Sequence, residues 1–341
     1  MPEFDDSPVF RRILRQRAQV LARDDATIRE LTRRWLQVER SLSSELAALS
    51  EEARRLHKEG LPIEAVRQRI VRLESLQRQV YRELNDYGEQ VADLVTENQR
   101  MMAALAGQHT AQTLDAVGAM TAGFNQLPAA AFQSMVGHVA EGAPLYDYFI
   151  AGLPQKTVEG IMTELARGLA LGWNPKKTAV AMRDAAAIGH RRALLISRTE
   201  TLRAYRLSSL ANYRESSAVQ GWVWVCARQP RTCMACIAKD GSIHELSEEF
   251  VDHPRGRCAA IPYIPNRPIQ WTPARQWFKE QPADVQRAMM GKRLYTAWRG
   301  KKIGLDEIPQ AHKHPTFGTH YGVASLEQAM ENARRRGWAQ P

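Results

Sequence analysis

No stretch of this chain is apolar for the roughly 18 to 20 residues that a membrane-spanning helix needs, so integral membrane insertion is excluded. A glycine-rich phosphate loop, a dinucleotide fingerprint and a Gly-x-Ser-x-Gly elbow are all missing. The expectation is therefore a protein that is not an enzyme, with no catalytic residue assigned. Aromatic residues make up only 7% of the chain and cysteines number four. All four, Cys226, Cys233, Cys236 and Cys258, fall in one short segment, whereas a disulfide scaffold would spread them along the chain. The opening residues Met1 to Asp6 lack the basic-then-apolar order of a signal peptide, so the chain is expected to stay in the cytoplasm where it is made.

What is present is enough for real cores: 341 residues, 44% of them hydrophobic, room for two or three domains. Lys and Arg number 47 against 37 Asp and Glu, a formal charge of +10. Residues 1–110 hold 18 basic and 18 acidic residues, so the whole excess lies beyond them. A basic excess favours acidic or phosphate-rich partners without specifying a fold.

From Ile63 the apolar residues step by three and four through Val66, Ile70, Leu73, Val80, Leu84, Tyr87, Val91, Leu94, Met101 and Leu105, with Gln77 and Asn98 interrupting the seam. This spacing predicts a coiled coil. A similar seam precedes it at Ile28, Leu31, Trp35, Val38, Leu42, Leu49 and Leu56, and Gly60-Leu61-Pro62 predicts a turn between the two. Residues 1–107 are thus expected to form a long antiparallel helical hairpin. Residues 108–157 turn to small residues, with Asn125 and Pro128 as breakers, and read as a short-helix connector suited to helix packing or to a partner surface.

Residues 158–265 form the expected core domain. Val158 to Tyr213 reads as helix broken at Gly172-Trp173-Asn174-Pro175, where Asn174 before Pro175 is a good N-terminal cap. Between Arg167 and Arg214 ten basic residues face only Asp184 and Glu200, and Lys176, Lys177, Arg183, Arg191, Arg192, Arg198, Arg203 and Arg206 are the candidate contacts to double-stranded DNA. Such contacts would be to phosphates, sensitive to salt and independent of base sequence. Trp222-Val223-Trp224-Val225 predicts a strand and Ile243 to Leu246 its return after the Asp240-Gly241 turn. Residues 266–341 are read as the end of a proline-rich linker (Pro262, Pro265, Pro268, Pro273) and a helical tail, with short helices over 275–300 and 325–336 and a loop carrying His312, His314 and His320. The fold class is α+β, mostly α, with a small β-hairpin and zinc-knuckle-like core.

Cys233-x-x-Cys236 places two sulfurs on one turn, and His253 with Cys258 could close a tetrahedral zinc site, with His244 as a substitute ligand. The alternatives are reduced cysteines packed as small apolar residues, or a disulfide formed late in an extracellular particle. A nuclease-like reading of the Cys/His cluster and an ADP-ribosyltransferase-like reading of Glu200 stand as the enzymatic alternative. Glu200 also fits an acid paired with Arg203 or Arg206.

The order Ile196-Ser197-Arg198-Thr199-Glu200, the Trp224 strand, Arg231-Thr232-Cys233 to Cys236, Asp240-Gly241, His253-Pro254-Arg255-Gly256-Arg257-Cys258 and Pro262 resembles the Mu F-like minor head, or head morphogenesis, proteins of tailed bacteriophages. Thr199, Glu200, Trp224, Asp240, Gly241, Pro254 and Arg257 carry the likeness. Relatives typically end this motif with Cys-Arg-Cys, and here Gly256 stands at the first cysteine. The resemblance implies a low-copy virion component of the head interior or portal vertex, present in the host cytoplasm during assembly. It implies the portal protein as partner, with scaffold and major capsid proteins as further candidates, and a role in DNA packaging, retention or delivery.

Overall fold

The computed structural model describes residues 6–56, 63–120, 124, 127, 136–137, 144–147, 149, 152–314 and 317–337. The Gly60-Leu61-Pro62 turn and part of the expected connector, including Asn125 and Pro128, lie outside them. Ten helices and five strands are described: α1 (Pro8–Leu56), α2 (Ile63–Ala116), α3 (Leu145–Asp147), α4 (Leu153–Ala170), α5 (Pro175–Arg214), β1 (Gly221–Val225), α6 (Met234–Lys239), β2 (Ile243–His244), β3 (Ala259–Tyr263), α7 (Ala274–Lys279), α8 (Ala283–Met290), α9 (Lys292–Arg299), β4 (Pro309–His314), β5 (Gly318–Val323) and α10 (Leu326–Arg335). The architecture is mostly α with small antiparallel sheets. The second long helix continues to Ala116, past the expected end at 107. Two compact units are interleaved along the chain, one from residues 1–22, 99–135 and 202–341, the other from 23–98 and 136–201.

Burial along the long helices follows a different period from the one read in the sequence. A seven-residue seam calls for Leu94, Met101 and Leu105, but the buried side chains are the next ones in each case, Val95, Met102 and Ala106. The repeat is eleven residues: Val80, Val91, Met102 and Thr113 in α2, and Val20, Leu31, Leu42 and Ala53 in α1, are all buried. Eleven residues in three turns is about 3.67 per turn, near the 3.6 of an undistorted helix, and does not impose the left-handed supercoil of a heptad seam.

In the unit formed by 23–98 and 136–201, α1 and α2 run antiparallel. The Trp35 ring meets Tyr87, Ser41 Oγ donates to Glu83, and Gln79 donates to Glu45. The first part of α5 lies along this pair, with His190 stacked on Trp35 at 5.0 Å and Ser50 Oγ donating to the Pro175 carbonyl. Asn174 caps α5 as the sequence predicts, its Oδ1 accepting the Lys177 amide at 2.8 Å. Helix α4 packs antiparallel on α5 through small residues. A β-carbon on Gly168 would lie 2.4 Å from Thr178 Oγ1, and one on Gly189 would lie 2.4 Å from Thr157 Oγ1, so both glycines are needed for this approach.

In the other unit, β1 is the centre of a three-stranded antiparallel sheet in the order β2-β1-β3, with Val223 opposite Ile261. Alternation sends the side chains of one strand to two faces. Val223, Val225 and Ile261 meet Phe10, Ile13 and Ile269, while Trp222, Trp224 and Ala260 meet Phe250, Met234 and the helices of the C-terminal portion. Both faces are covered, which is why Gly221–Val225 is buried throughout.

Two sequence readings change in this unit. The segment read as a proline-rich linker holds the end of β3 and the buried Ile264 and Ile269, and Trp271 stacks on Phe10 at 5.4 Å. The apolar residues between the prolines, rather than the prolines, decide its placement. The loop expected around His312 and His320 is the β4–β5 hairpin, with the two histidines directly opposite each other. Its strands are polar and partly exposed, so they lack the hydrophobic alternation by which a strand is recognised.

Candidate metal centre and basic helix

Cys233 caps the start of α6, and its sulfur accepts the Cys236 amide at 3.3 Å. This geometry brings the two sulfurs to 3.2 Å from each other. His253 joins them, all three donor atoms lying within 4.8 Å of one another, and a second trio of the same tightness combines Cys236, Cys258 and Asp252. Of the expected set, Cys233, Cys236 and His253 form the first trio, and Cys258 reaches them only through Cys236, the residue common to both. Cys226 is buried apart from either trio, its thiol pushed up by burial and by the Asp240 charge.

The electrostatics are polarised. The contact with Cys236, with His253 alongside, brings the Cys233 thiol down to about 5 against the opposing effect of burial. The same contact with Cys233 pushes His253 up to about 10, against the opposing effect of burial. Cys236 is held protonated, well above the ordinary thiol value, chiefly by Cys233 and Cys258. Among these groups the cluster holds a thiolate beside an imidazolium, a form in which sulfur is ready to bind a metal ion.

Asp252 is the member that spacing did not reveal. Its Oδ1 accepts the His253 amide at 2.8 Å and lies 3.8 Å from Cys236 Sγ, and its Oδ2 accepts the Cys258 amide at 3.3 Å. Arg206 reaches Oδ2 at 2.9 Å and also donates to the carbonyls of Cys258, at 2.9 Å, and Gly256. A β-carbon on Gly256 would fall 2.0 Å from the Asp252 carboxylate, so glycine at 256 is what makes room for it. An aspartate directly before a candidate ligand was the one sequence cue, and its buried arginine comes from a helix 46 residues away.

His244 does not belong to the centre. Its ring stacks on Trp222 at 4.1 Å and its nitrogens are held by Ser242 and Glu248 at 2.8 and 2.9 Å. The β1–β2 pairing places it opposite Trp222, turned to that ring.

The basic residues of α5 divide into two groups. Lys176, Lys177, Arg183, Arg191 and Arg192 are exposed, and Lys176, Arg183 and Arg191 share one face at helical spacing. Arg198 binds Asp24 at 2.6 Å and also Asp25, and its side chain is only 15% exposed. Arg206 is buried in the centre just described, and Arg203 is half-buried. Arg198 and Arg206, read from the sequence as phosphate contacts, are committed to internal carboxylates, a distinction that charge counting cannot make.

The residues carrying the family likeness are mostly structural. Thr199 Oγ1 donates to the Leu195 carbonyl, Glu200 is buried, and Trp224 stacks on Phe250 at 4.2 Å. Asp240 accepts the amides of Cys226 and Ala274 at 2.7 Å each, tying β1 to the start of α7, and Gly241 takes a positive φ of 83° in the turn that follows. The Pro254 carbonyl accepts from His253 Nδ1 at 2.9 Å, and the Arg257 carbonyl accepts from Arg17.

No curated protein and no solved structure gives a significant match to this chain. No helix among the described residues is long and apolar enough to cross a membrane. The family model of phage Mu protein F-like proteins matches residues 159–261, a little under a third of the chain. The matched segment begins in α4, includes the whole of α5 with its basic face, and ends in β3 just beyond Cys258. Over those residues the chain is similar to the phage Mu protein F-like proteins.

Proposed function

We propose that this protein is a structural minor head component, incorporated with the portal during head assembly and in contact with packaged double-stranded DNA, and that it performs no catalysis. The observation that carries the DNA contact is the exposure of five cations on α5: Lys176, Arg183 and Arg191 share one face, Lys177 and Arg192 are exposed as well, and Arg183 also lies 3.9 Å from Glu39 and 3.6 Å from Asp184. Flexible cations on a helix surface neutralise phosphates without selecting bases, and each such contact releases counterions. The long antiparallel helices suit docking on a ring of portal subunits.

Quantitative mass spectrometry of purified, nuclease-treated particles and of procapsids, referenced to the portal protein, tests the assembly role. The expected result is a few to about a dozen copies per particle. Absence from both particles and procapsids refutes the role. Cleavage of supercoiled plasmid by the pure protein with magnesium would refute the non-enzymatic part of the proposal.

A further inference from the structure

The structure assigns Cys233, Cys236, Cys258 and His253 as the ligands of one zinc ion, with Asp252 and Arg206 as the outer layer that positions them. This site stands independently of the role in head assembly. Cys233, Cys236 and His253 supply three donors of one trio, and Cys258 is brought in through Cys236, which both trios share; three sulfurs and one imidazole nitrogen are the soft combination that selects tetrahedral zinc over magnesium or calcium. The backbone arranges the donors before any ion arrives, because Cys233 is fixed as the cap of α6 and Cys236 lies one helical turn further on.

The ligand nitrogen of His253 follows from its other contact. Nδ1 is 2.9 Å from the Pro254 carbonyl, to which it donates, so Nε2 is left to face the sulfurs, 3.7 Å from Asp252 Oδ1. Zinc-binding histidines characteristically donate their second nitrogen to a carbonyl or carboxylate in this way. Asp252 acts one layer out. By accepting the amides of both His253 and Cys258, its carboxylate sets the position of two ligand-bearing residues at once. Arg206 neutralises that carboxylate and holds two carbonyls of the same turn, so the centre is anchored to α5 as well as to α6 and β3.

The test uses the full chain purified without chelator. Elemental analysis is expected to find about one zinc per chain, and exchange for cobalt should give the intense absorption of tetrahedral cobalt with sulfur ligands. The sulfur-to-cobalt band should lose about a third of its intensity in Cys258→Ser. Asp252→Asn and Asp252→Ala should keep the band shape while weakening affinity by about 10- to 100-fold in a chelator competition, the usual cost of removing an outer-layer partner. If those variants do not fold, chelator titration of the unmodified chain with the same cobalt readout still decides. Metal-free protein that takes up neither zinc nor cobalt overturns the site, as does a Cys233–Cys236 disulfide in freshly purified protein. An Asp252 variant with unchanged affinity overturns the positioning role.

Discussion

Lowering the pH should loosen the unit formed by 23–98 and 136–201 through one histidine. His190 lies against Trp35 and takes a hydrogen bond from the Tyr87 hydroxyl at 2.7 Å. Burial, with a smaller contribution from the neighbouring Arg191 cation, brings its pKa from 6.5 down to about 4. An unfolded chain would take up a proton near 6.5 while the folded one refuses it until about 4. The stabilisation is therefore complete above pH 6.5 and is lost as pH falls through the window from 6.5 to 4. The full difference corresponds to about 3 kcal/mol, and after allowance for residual solvent screening about 1.5 kcal/mol is gone by pH 5. His190→Gln keeps an acceptor for Tyr87 but cannot titrate in this range. Hydrogen exchange of α5 peptides around residue 190, compared between pH 7.5 and pH 5 after correction for intrinsic rates, should show the wild type losing about tenfold more protection than the variant. Equal losses in the two proteins, or a proton-binding midpoint for His190 near 6.5 by NMR, would refute the reasoning.

Arg206→Met leaves the Asp252 carboxylate buried without its cation and should lower stability by about 3 to 5 kcal/mol, with part of the loss restored in the Arg206→Met/Asp252→Asn double variant; thermal melting of the four proteins in a cycle checks this. Changing Lys176, Lys177 and Arg183 together to Glu should weaken DNA binding and reduce the salt slope by about 3, measured by gel shift across a salt series. Arg198→Glu, by contrast, should destabilise the fold by setting a glutamate against Asp24 and Asp25, and a Glu triple variant that binds DNA like wild type would show that the face on α5 is the wrong one. Gly189→Ala should force α4 and α5 apart at Thr157, costing about 1 to 3 kcal/mol in a urea titration, and Thr157→Ala in the same chain should recover much of that.

The elements with strong local signals were legible in the sequence. Asn174-Pro175 marks the start of α5, Trp222 to Val225 is a strand, and residues 325–336 form α10 with a complete capping box at Ser325 and Gln328. The closeness of Cys233 and Cys236 was legible too, because they share one turn, whereas His253 comes to them from beyond β2. What escaped depends on partners distant in the chain. Asp252 matters through Arg206, the apolar residues of the 262–273 segment through Phe10 and the sheet, and the division of arginines on α5 through Asp24 and Asp25 on α1 for Arg198 and through Asp252 for Arg206. The seam of α2 was misread by one residue from Leu94 onward because Leu94, Met101 and Leu105 are apolar enough to satisfy a heptad, while the helix, turning at 3.6 residues, buries their neighbours.

Asp6, near the start of the chain, receives two bonds from Arg228 and one from the Thr272 amide, and the Ser7 amide donates to Gln270. During synthesis these partners are separated by more than 200 residues, so the first turns of α1 must wait for most of the polypeptide to leave the ribosome before the sheet that buries Phe10 and Ile13 exists. Residues 23–98 and 136–201 form a unit whose internal partners all precede residue 202 in the chain. The threading of the chain therefore allows the unit of 23–98 and 136–201 to form first during synthesis. The same threading means that a fragment cut to the family match, residues 159–261, would present one face of β1 to water in place of Phe10 and Ile13. Such a fragment should be insoluble or should associate with itself through that face, however well its own helices form.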